Sequence, residues 1–376
     1  MLYWTWRHWL SEPGRAGLTA FAFASVLALS AMFDGLFVGI LEDLRAFPAS
    51  LPSDLVAIEE GNTYFSLAPS NLPQLSRMNA EEVPGVMDVQ PLKLAPFIFR
   101  YNGLTTPAML VAFDLNGGPQ QLRAGRAPTP ARDIVLDSNL ARRHAADLGD
   151  PVVILDHDLN VVGLSEGTSS AFTSYAFITY DRLIDLAIES ELPFGTDEGG
   201  LVSALLINLE DGADIDESRQ LLEAALPEAD LFTPAELGDA EAVMGRRMLG
   251  PIFLLIQSIT WLITLLTMAM LRYAEVQSHL RQFGIHKALG VKPTQLVYIL
   301  TIGGALTAVL ALPLAAVIAK GLSWMTSTWN PLYVPRVWDP QVLARTGALA
   351  ILGSVAGSLI PLRRLVRLDP VLVFQR

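Results

Sequence analysis

The chain of 376 residues contains no cysteine. A disulfide framework and a thiolate metal site are therefore both excluded. The sequence also lacks any G-x-x-x-x-G-K-[ST] loop, so the chain cannot bind ATP by that route. Charged residues make up only 17% of the chain, whereas hydrophobic residues make up 51%. This composition is typical of membrane spans joined to a water-exposed domain.

Acidic residues are scarce outside one long region. Residues 42–248 hold 33 Asp and Glu against 13 Lys and Arg, a net charge of −20. The rest of the chain holds 5 acidic and 13 basic residues, a net charge of +8. Nucleic acid is not an expected partner, because the large polar domain would repel phosphate. The basic remainder lies at the ends of apolar runs, as the positive-inside rule expects for cytoplasmic segments.

Long uncharged runs predict four transmembrane helices, since about 20 apolar residues cross a bilayer. We predict an α-helical membrane protein with both termini in the cytoplasm and a large α+β domain inserted between the first and second helices. The predicted order is an interfacial lead-in and first helix at 1–41, an external domain at 42–248, a second helix at 249–272, a cytoplasmic loop at 273–292, a third helix at 293–320, an external loop at 321–341, a fourth helix at 342–362 and a cytoplasmic tail at 363–376.

The first apolar run has a competing interpretation. A basic start and the triplet Ala28-Leu29-Ser30 also suit a cleaved signal peptide, but the run continues to Leu41, longer than a signal needs. We predict an uncleaved span. Asp34 is its only charge, and a carboxylate near the outer end is expected to reach water.

The external domain alternates short apolar stretches with Pro, Gly and Asp, a pattern typical of strands. It predicts strands at Leu55–Glu59, Val86–Leu94, Phe97–Tyr101, Ala108–Phe113, Ile134–Leu136, Val152–Leu155, Val161–Leu164, Ala176–Thr179 and Ala204–Leu209. Helical periodicity appears at four places between 138 and 248, and Asp214 or Asp216 can cap the helix predicted at 215–226. The stretch at about 119–180 is rich in strands and is predicted to form an inserted subdomain. The last helix of the domain has no strong breaker before Gly250-Pro251 and is expected to continue into the second span, with a hinge at Gly245, Gly250 or Pro251 as the alternative.

A short basic segment, RQFGIHKALG at 281–290, lies between the second and third spans. This segment resembles the R-E-x-G-x-x-[RK]-A-[LM]-G signature of the FtsX/MacB-type ABC transporter permeases. The tail RLDPVLVF at 367–374 is similar to the ending of that family, and stretches at 122–126, 133–136 and 160–164 are similar to its periplasmic core domain. YAEVQSHL at 273–280 and LEDGAD at 209–214 resemble the DevC-like subgroup.

The resemblance implies a MacB-like permease of the bacterial inner membrane, with residues 42–248 in the periplasm. It implies that the basic segment is a coupling helix seated on a separate cytoplasmic ATPase, which would hold the ATP and Mg, while this chain carries no cofactor, metal or catalytic residue. The implied docking residues are Arg281, Phe283, Gly284, Lys287, Ala288, Leu289 and Gly290. Gln282 departs from the family, which usually has an acidic residue there.

Further partners implied are membrane lipid, a second permease copy that is identical or a paralogue, and, for a DevC-like protein, a periplasmic adaptor and an outer-membrane channel. Export or extraction of an amphiphilic or envelope substrate is the expected function. Two alternatives share the topology: an FtsX-like signal relay that controls a cell-wall hydrolase, and a lipoprotein-releasing permease. The alternative for the basic segment is an ordinary amphipathic connector.

Two short motifs suggest other chemistry. Gly163-Leu164-Ser165-Glu166-Gly167 matches the nucleophile-elbow pattern, but no suitable histidine follows on the same side of the membrane. Asp156-His157-Asp158 contains metal-ligand residue types, yet three consecutive side chains do not easily face one ion. We expect a turn at each position.

Overall fold

The computed structural model describes residues 13–65, 70–114, 118–154, 156–168, 170, 173–189, 200–278, 285, 291, 293–330 and 333–359. The chain divides into two compact units. A sheet unit comprises Ile40–Leu249 with Asn330–Tyr333, and a helical unit comprises the residues up to Gly39, Gly250–Trp329 and those from Val334 onward.

The described elements follow in chain order. They are α1 Pro13–Ala49, β1 Leu55–Glu59, β2 Leu72–Pro73, α2 Ser76–Glu81, β3 Val86–Tyr101, β4 Leu104–Phe113, β5 Leu122–Gly125, β6 Asp133–Asp137, α3 Ser138–His144, β7 Pro151–Ile154, β8 His157–Ser165, β9 Ser174–Thr179, α4 Tyr180–Glu189, β10 Leu201–Val202, β11 Ala204–Leu209, α5 Ile215–Ala225, β12 Ala229–Phe232, α6 Pro234–Ser278, α7 Pro293–Trp329 and α8 Pro340–Leu359.

A ten-stranded sheet organises the sheet unit. Its order is β12-β1-β11-β3-β4-β9-β6-β8-β5, and β7 pairs with β3 and β8. Most neighbours are antiparallel, but β4 with β9 and β6 with β8 are parallel. The region predicted as an inserted subdomain, at about 119–180, contributes strands β5 to β9 to this same sheet. The first strand lies between the two last ones, since Val56 faces both Leu206 and Phe232.

The longest hairpin, β3 with β4, turns at Asn102-Gly103. Both residues have positive φ, 50° and 73°, which suits the two-residue turn of a twisted hairpin. Pro96 lies within β3 opposite Met109 of β4. On the other side of β3, β11 pairs only as far as Leu92, so the missing N–H of Pro96 interrupts no pairing with that strand.

Successive side chains of a strand point to opposite faces of the sheet, and here both faces carry apolar side chains that helices cover. On one face, Phe97, Phe99 and Leu110 pack with Leu140 of α3 and Leu186 of α4. The opposite face of the same strands packs under the end of α1 and the start of α6, with core residues Phe47, Leu51, Leu92, Leu94, Val111, Phe113, Tyr175, Phe177 and Leu237. A third cluster lies under α2 and α5.

Aspartates cap two helices of the sheet unit, α3 and α5. Asp137 Oδ1 accepts hydrogen bonds from the backbone N–H groups of Asn139 (2.9 Å) and Leu140 (3.2 Å). Asp214 Oδ1 accepts from those of Asp216 (2.9 Å) and Glu217 (3.1 Å), so it is the cap of α5, one of the two residues predicted for that role.

Alanine contributes much of the core of the helical unit. Ala308, Ala311, Ala315 and Ala319 of α7 are buried there with Phe23, Ala24, Leu27, Ala28 and Ala31 of α1. Their spacing of three or four residues places the alanines on one helix face, and small side chains permit close helix packing in a membrane.

Three helices are long and apolar enough to cross a membrane within the described part of the chain: Gly17–Ala49, Pro234–Ser278 and Thr301–Trp329. The fourth predicted span, 342–362, overlaps α8, and its last residues lie outside the described range. The four-span topology and the predicted domain boundaries therefore stay predictions.

Candidate coupling site

The predicted docking residues Arg281, Phe283, Gly284, Lys287, Ala288, Leu289 and Gly290, together with Gln282, lie outside the described residues. Within 281–290 only Ile285 is described; it is helical and exposed. The structure does describe the helices on either side, α6 up to Ser278 and α7 from Pro293.

Arg272 lies near the C-terminal end of α6, six residues before that helix ends. Its side chain is only 1% exposed, and its Nη1 pairs with Oε2 of Glu275 one turn further along the helix. Its Nη2 donates to the backbone carbonyl of Gly303 at 3.1 Å and to the hydroxyl of Thr307, both in α7. A buried cation in a membrane protein requires such partners. Arg272 therefore joins the two helices that border the predicted coupling segment.

A second ion pair lies toward the predicted outer side of the helical unit. Arg345 Nη1 of α8 donates to Asp34 Oδ1 of α1 at 2.8 Å, with side-chain exposures of 49% and 9%. Asp34 Oδ2 is buried and has no hydrogen-bond partner among the described residues. The expectation that Asp34 reaches water is wrong, because the helices of this unit cover its carboxylate.

The loop before α8 packs closely on α1 beside this ion pair. The backbone N–H of Arg336 donates to the carbonyl of Gly35 at 2.8 Å. A Cβ on Gly39 would lie 2.5 Å from the carbonyl oxygen of Val334, so a side chain cannot be added there without a shift of backbone. Gly35 and Gly39 are one helical turn apart, and together they let the loop reach the helix backbone.

Further contacts in the helical unit join α1 and α8 to α6. Gln257 donates to the hydroxyl of Ser30 at 2.8 Å, and the rings of Phe37 and Phe253 stack with centroids 4.7 Å apart. On α8, a Cβ at Gly357 would lie 3.0 Å from the backbone nitrogen of Ala269. Within the helical unit, α6 therefore contacts α1 and α8 by close packing and by one polar contact, from Gln257 to Ser30.

Within the sheet unit, the end of α1 packs against the start of α6. A Cβ on Gly238 would lie 2.8 Å from the Cβ of Ala49 and 2.9 Å from the carbonyl oxygen of Arg45. The guanidinium of Arg45 also pairs with Asp239 at 3.0 Å. Gly245, two turns along α6, faces Leu44 of α1. Glycine at this spacing lets the two helix backbones approach closely.

Ser165 of the nucleophile-elbow match is fully buried at the end of β8, and a turn rather than a helix follows it. Its hydroxyl shares a 2.6 Å hydrogen bond with that of Thr168, which in turn donates to Asp137. These contacts connect a turn to a helix cap. The predicted turn is confirmed at this position.

Asp156 has a φ of 64° and lies between β7 and β8, so a turn is also found at the second motif. The neighbouring His157 Nδ1 lies 3.3 Å from Oε2 of Glu189 in α4. A hydrogen bond from Arg182 holds the pKa of Glu189 below its usual range. No group of three metal-ligand side chains occurs among the described residues.

Two family descriptions match the chain. Residues 18–225 match "MacB-like periplasmic core domain", and residues 254–370 match "FtsX-like permease C-terminal". The chain belongs to the MacB/FtsX family of ABC transporter permeases. This confirms the resemblance seen in the sequence at the level of the family. It also implies that an ATPase subunit works with this permease.

Relatives cover nearly the whole chain. A Mycobacterium tuberculosis protein named only as an ABC transporter permease is 27% identical over 356 residues, which is 93% of this chain and 92% of the relative. A second such permease from the same organism is 24% identical over 379 residues, covering 100% of this chain and 99% of the relative. The crystal structure of the periplasmic region of MacB from Actinobacillus actinomycetemcomitans covers 49% of this chain and 90% of its own, at 15% identity and a TM-score of 0.36. That score is too low to establish a shared fold by itself.

The contacts of Arg272, Arg345 and Gly238 were not predicted from the sequence of this permease. The sequence does contain a signal for one of them. Arg345 is the only charge in the predicted fourth span and Asp34 the only charge in the first, so a pair between them could have been inferred. No local pattern distinguishes Arg272 from an ordinary basic residue at the end of a span.

Proposed function

We propose that this permease is the membrane subunit of an ABC-type exporter that acts on an amphiphilic or envelope-bound substrate. A separate ATPase supplies the force in the cytoplasm, and the permease transmits it to the periplasmic domain. The observation that carries the proposal is α6, one helix of 45 residues from Pro234 to Ser278. It includes Pro251 without a break, and its last residue, Ser278, lies three positions before Arg281, where the predicted coupling segment begins.

The packing of the second span supports this role. A helix transmits displacement only where its neighbours hold it, and α6 is held at Gly238 and Gly245 in the sheet unit. In the helical unit it contacts Ser30 through Gln257 and α7 through Arg272. These contacts favour transmission by helix movement over a passive anchor.

The docking residues have distinct roles in the proposal. Phe283 and Leu289 fill an apolar groove of the ATPase, while Arg281 and Lys287 pair with acidic residues at its rim. Gly290 ends the coupling helix. The family usually has an acidic residue at the position of Gln282. Because glutamine is uncharged and cannot form an ion pair with the ATPase, Arg281 and Lys287 carry the electrostatic part of docking.

Two copies of the permease, identical or paralogous, form the assembly in the inner membrane. The sheet unit extends from Ile40 to Leu249, which is larger than the external domain of an FtsX-like relay and favours export. A periplasmic adaptor and an outer-membrane channel complete the DevC-like form of this proposal.

The test is co-purification of the ATPase with the tagged permease from membranes of its host. The double variant Leu289→Asp with Phe283→Ala is expected to lose the ATPase. Val334→Asp with Trp338→Ala is the matched control, since it makes the same kinds of change at exposed residues of the predicted external loop. Equal recovery of the ATPase with both double variants would refute docking at 281–290.

A further inference from the structure

We propose that Arg272 is a positioning residue for coupling: it holds the inner ends of α6 and α7 together, so that the coupling segment moves both helices as one body. The inference rests on the proposed function, because it specifies how force that enters at residues 281–290 reaches the membrane helices. It adds a residue that lies outside the predicted docking set.

Burial sets Arg272 apart from the other cations of the helical unit whose side chains are described, which are exposed. It is the largest fully buried side chain among the described residues. Arg345, by comparison, is half-exposed and pairs with one carboxylate. A fully desolvated guanidinium is retained only where several acceptors compensate it.

The acceptors of Arg272 belong to two helices. One Nη atom pairs with Glu275 of α6, and the other donates to both Gly303 and Thr307 of α7. Thr307 also donates to the Gly303 carbonyl at 2.9 Å, so the three groups form one connected network. A planar guanidinium can donate in two directions at once, whereas the ammonium of lysine is a point charge.

The network closes a loop in the chain. Its bonds join residues 31 and 35 positions apart, and the coupling segment 281–290 lies between them. A force applied within the loop therefore acts on two helix ends that are bound to each other. If the ends were separate, the segment could move relative to one helix without moving the other.

The absence of cysteine makes the test direct. Spin labels at Ala274→Cys of α6 and Tyr298→Cys of α7, both exposed positions, report the distance between the helices. The full chain is purified with its ATPase, reconstituted in lipid nanodiscs and measured by pulsed EPR, without nucleotide and trapped with ATP and vanadate. We expect one narrow distance distribution in both states.

Three further variants are compared in this labelled background. Arg272→Lys and Thr307→Val weaken the network. Thr264→Val is the control, because it removes a buried hydroxyl whose hydrogen bond, 2.8 Å to the carbonyl of Thr260, stays within α6. We expect the population ratio of separated to joined helices to rise by about 2- to 30-fold in the first two variants. The control keeps the parental ratio.

The outcomes separate the two proposals. A narrow, unchanged distribution in both network variants overturns the positioning role, as does separation of the helices in the parent when nucleotide is trapped. Should Arg272→Lys fail to fold, the distance distribution of the isosteric variant Thr307→Val tests the positioning role alone. Failure of the ATPase to co-purify with the parent refutes the proposed function, and the nucleotide-free distance distributions still test the network.

Discussion

Unequal effects are expected when the two partners of the Asp34–Arg345 ion pair are removed singly. Asp34 is nine-tenths buried, whereas the side chain of Arg345 is 49% exposed. In Arg345→Leu the carboxylate stays buried without its counter-ion. Removing one partner of a buried ion pair costs about 3–5 kcal/mol.

The reverse substitution, Asp34→Asn, leaves a half-exposed arginine whose head group can turn to the interface. Its cost is expected to be about 1 kcal/mol, the scale of a solvent-exposed ion pair. In the double variant neither charge is left buried. We expect it to be more stable than Arg345→Leu, although it carries one more substitution.

The assay is unfolding of the full chain in mixed micelles by SDS titration, followed by tryptophan fluorescence. Lys320→Leu is the matched control, because it removes an exposed cation of the same helical unit. We expect its free energy of unfolding to stay within about 0.5 kcal/mol of the parent. A larger loss in Asp34→Asn than in Arg345→Leu, or a double variant no more stable than Arg345→Leu, would refute this account of the pair.

Three other predictions concern stability. Burial lowers the pKa of His144, so its neutral form is favoured in the folded state and stability is lost as pH falls below about 6.5. Thermal unfolding measured between pH 8 and pH 5 should show a melting temperature that falls with pH, and the fall should be smaller in His144→Gln. Asp214→Ala removes the cap of α5 and should cost about 1 kcal/mol in denaturant unfolding, whereas the neighbouring Asp211→Ala should change little. Gly238→Val should cost about 1–3 kcal/mol by overpacking against α1, while Gly321→Ala, which has open space around it, should stabilise the chain slightly; equal effects of the two glycine variants would contradict the close packing.

Local patterns predicted much of the sheet. The bounds of β1 and β11 agree with the predicted strands Leu55–Glu59 and Ala204–Leu209, because a short apolar run bounded by turn residues is typical of a buried strand. The prediction divided β3 at Ala95-Pro96. The strand is continuous, and Pro96 is tolerated because β11 ends before it.

Local sequence patterns do not predict which strands pair when the strands are far apart in the chain. The prediction missed β12, whose four residues are a strand because β1 lies beside them. The same limit applies to Arg272: the sequence shows a basic residue at the end of a span, and only the approach of α7 supplies its acceptors. Contacts that join residues far apart in the chain leave no periodic signal in either segment.

The central position of β1 has a consequence for biosynthesis. This strand is made early, yet both of its neighbours, β11 and β12, are made after about 150 further residues. A nascent chain thus leaves the first strand without partners while α1 is already complete. Strands whose partners are distant in sequence fold slowly and are prone to aggregate while they wait. A ribosome that stalls before residue 229 would therefore release a product with an open sheet, which we expect to be a substrate for quality-control proteolysis.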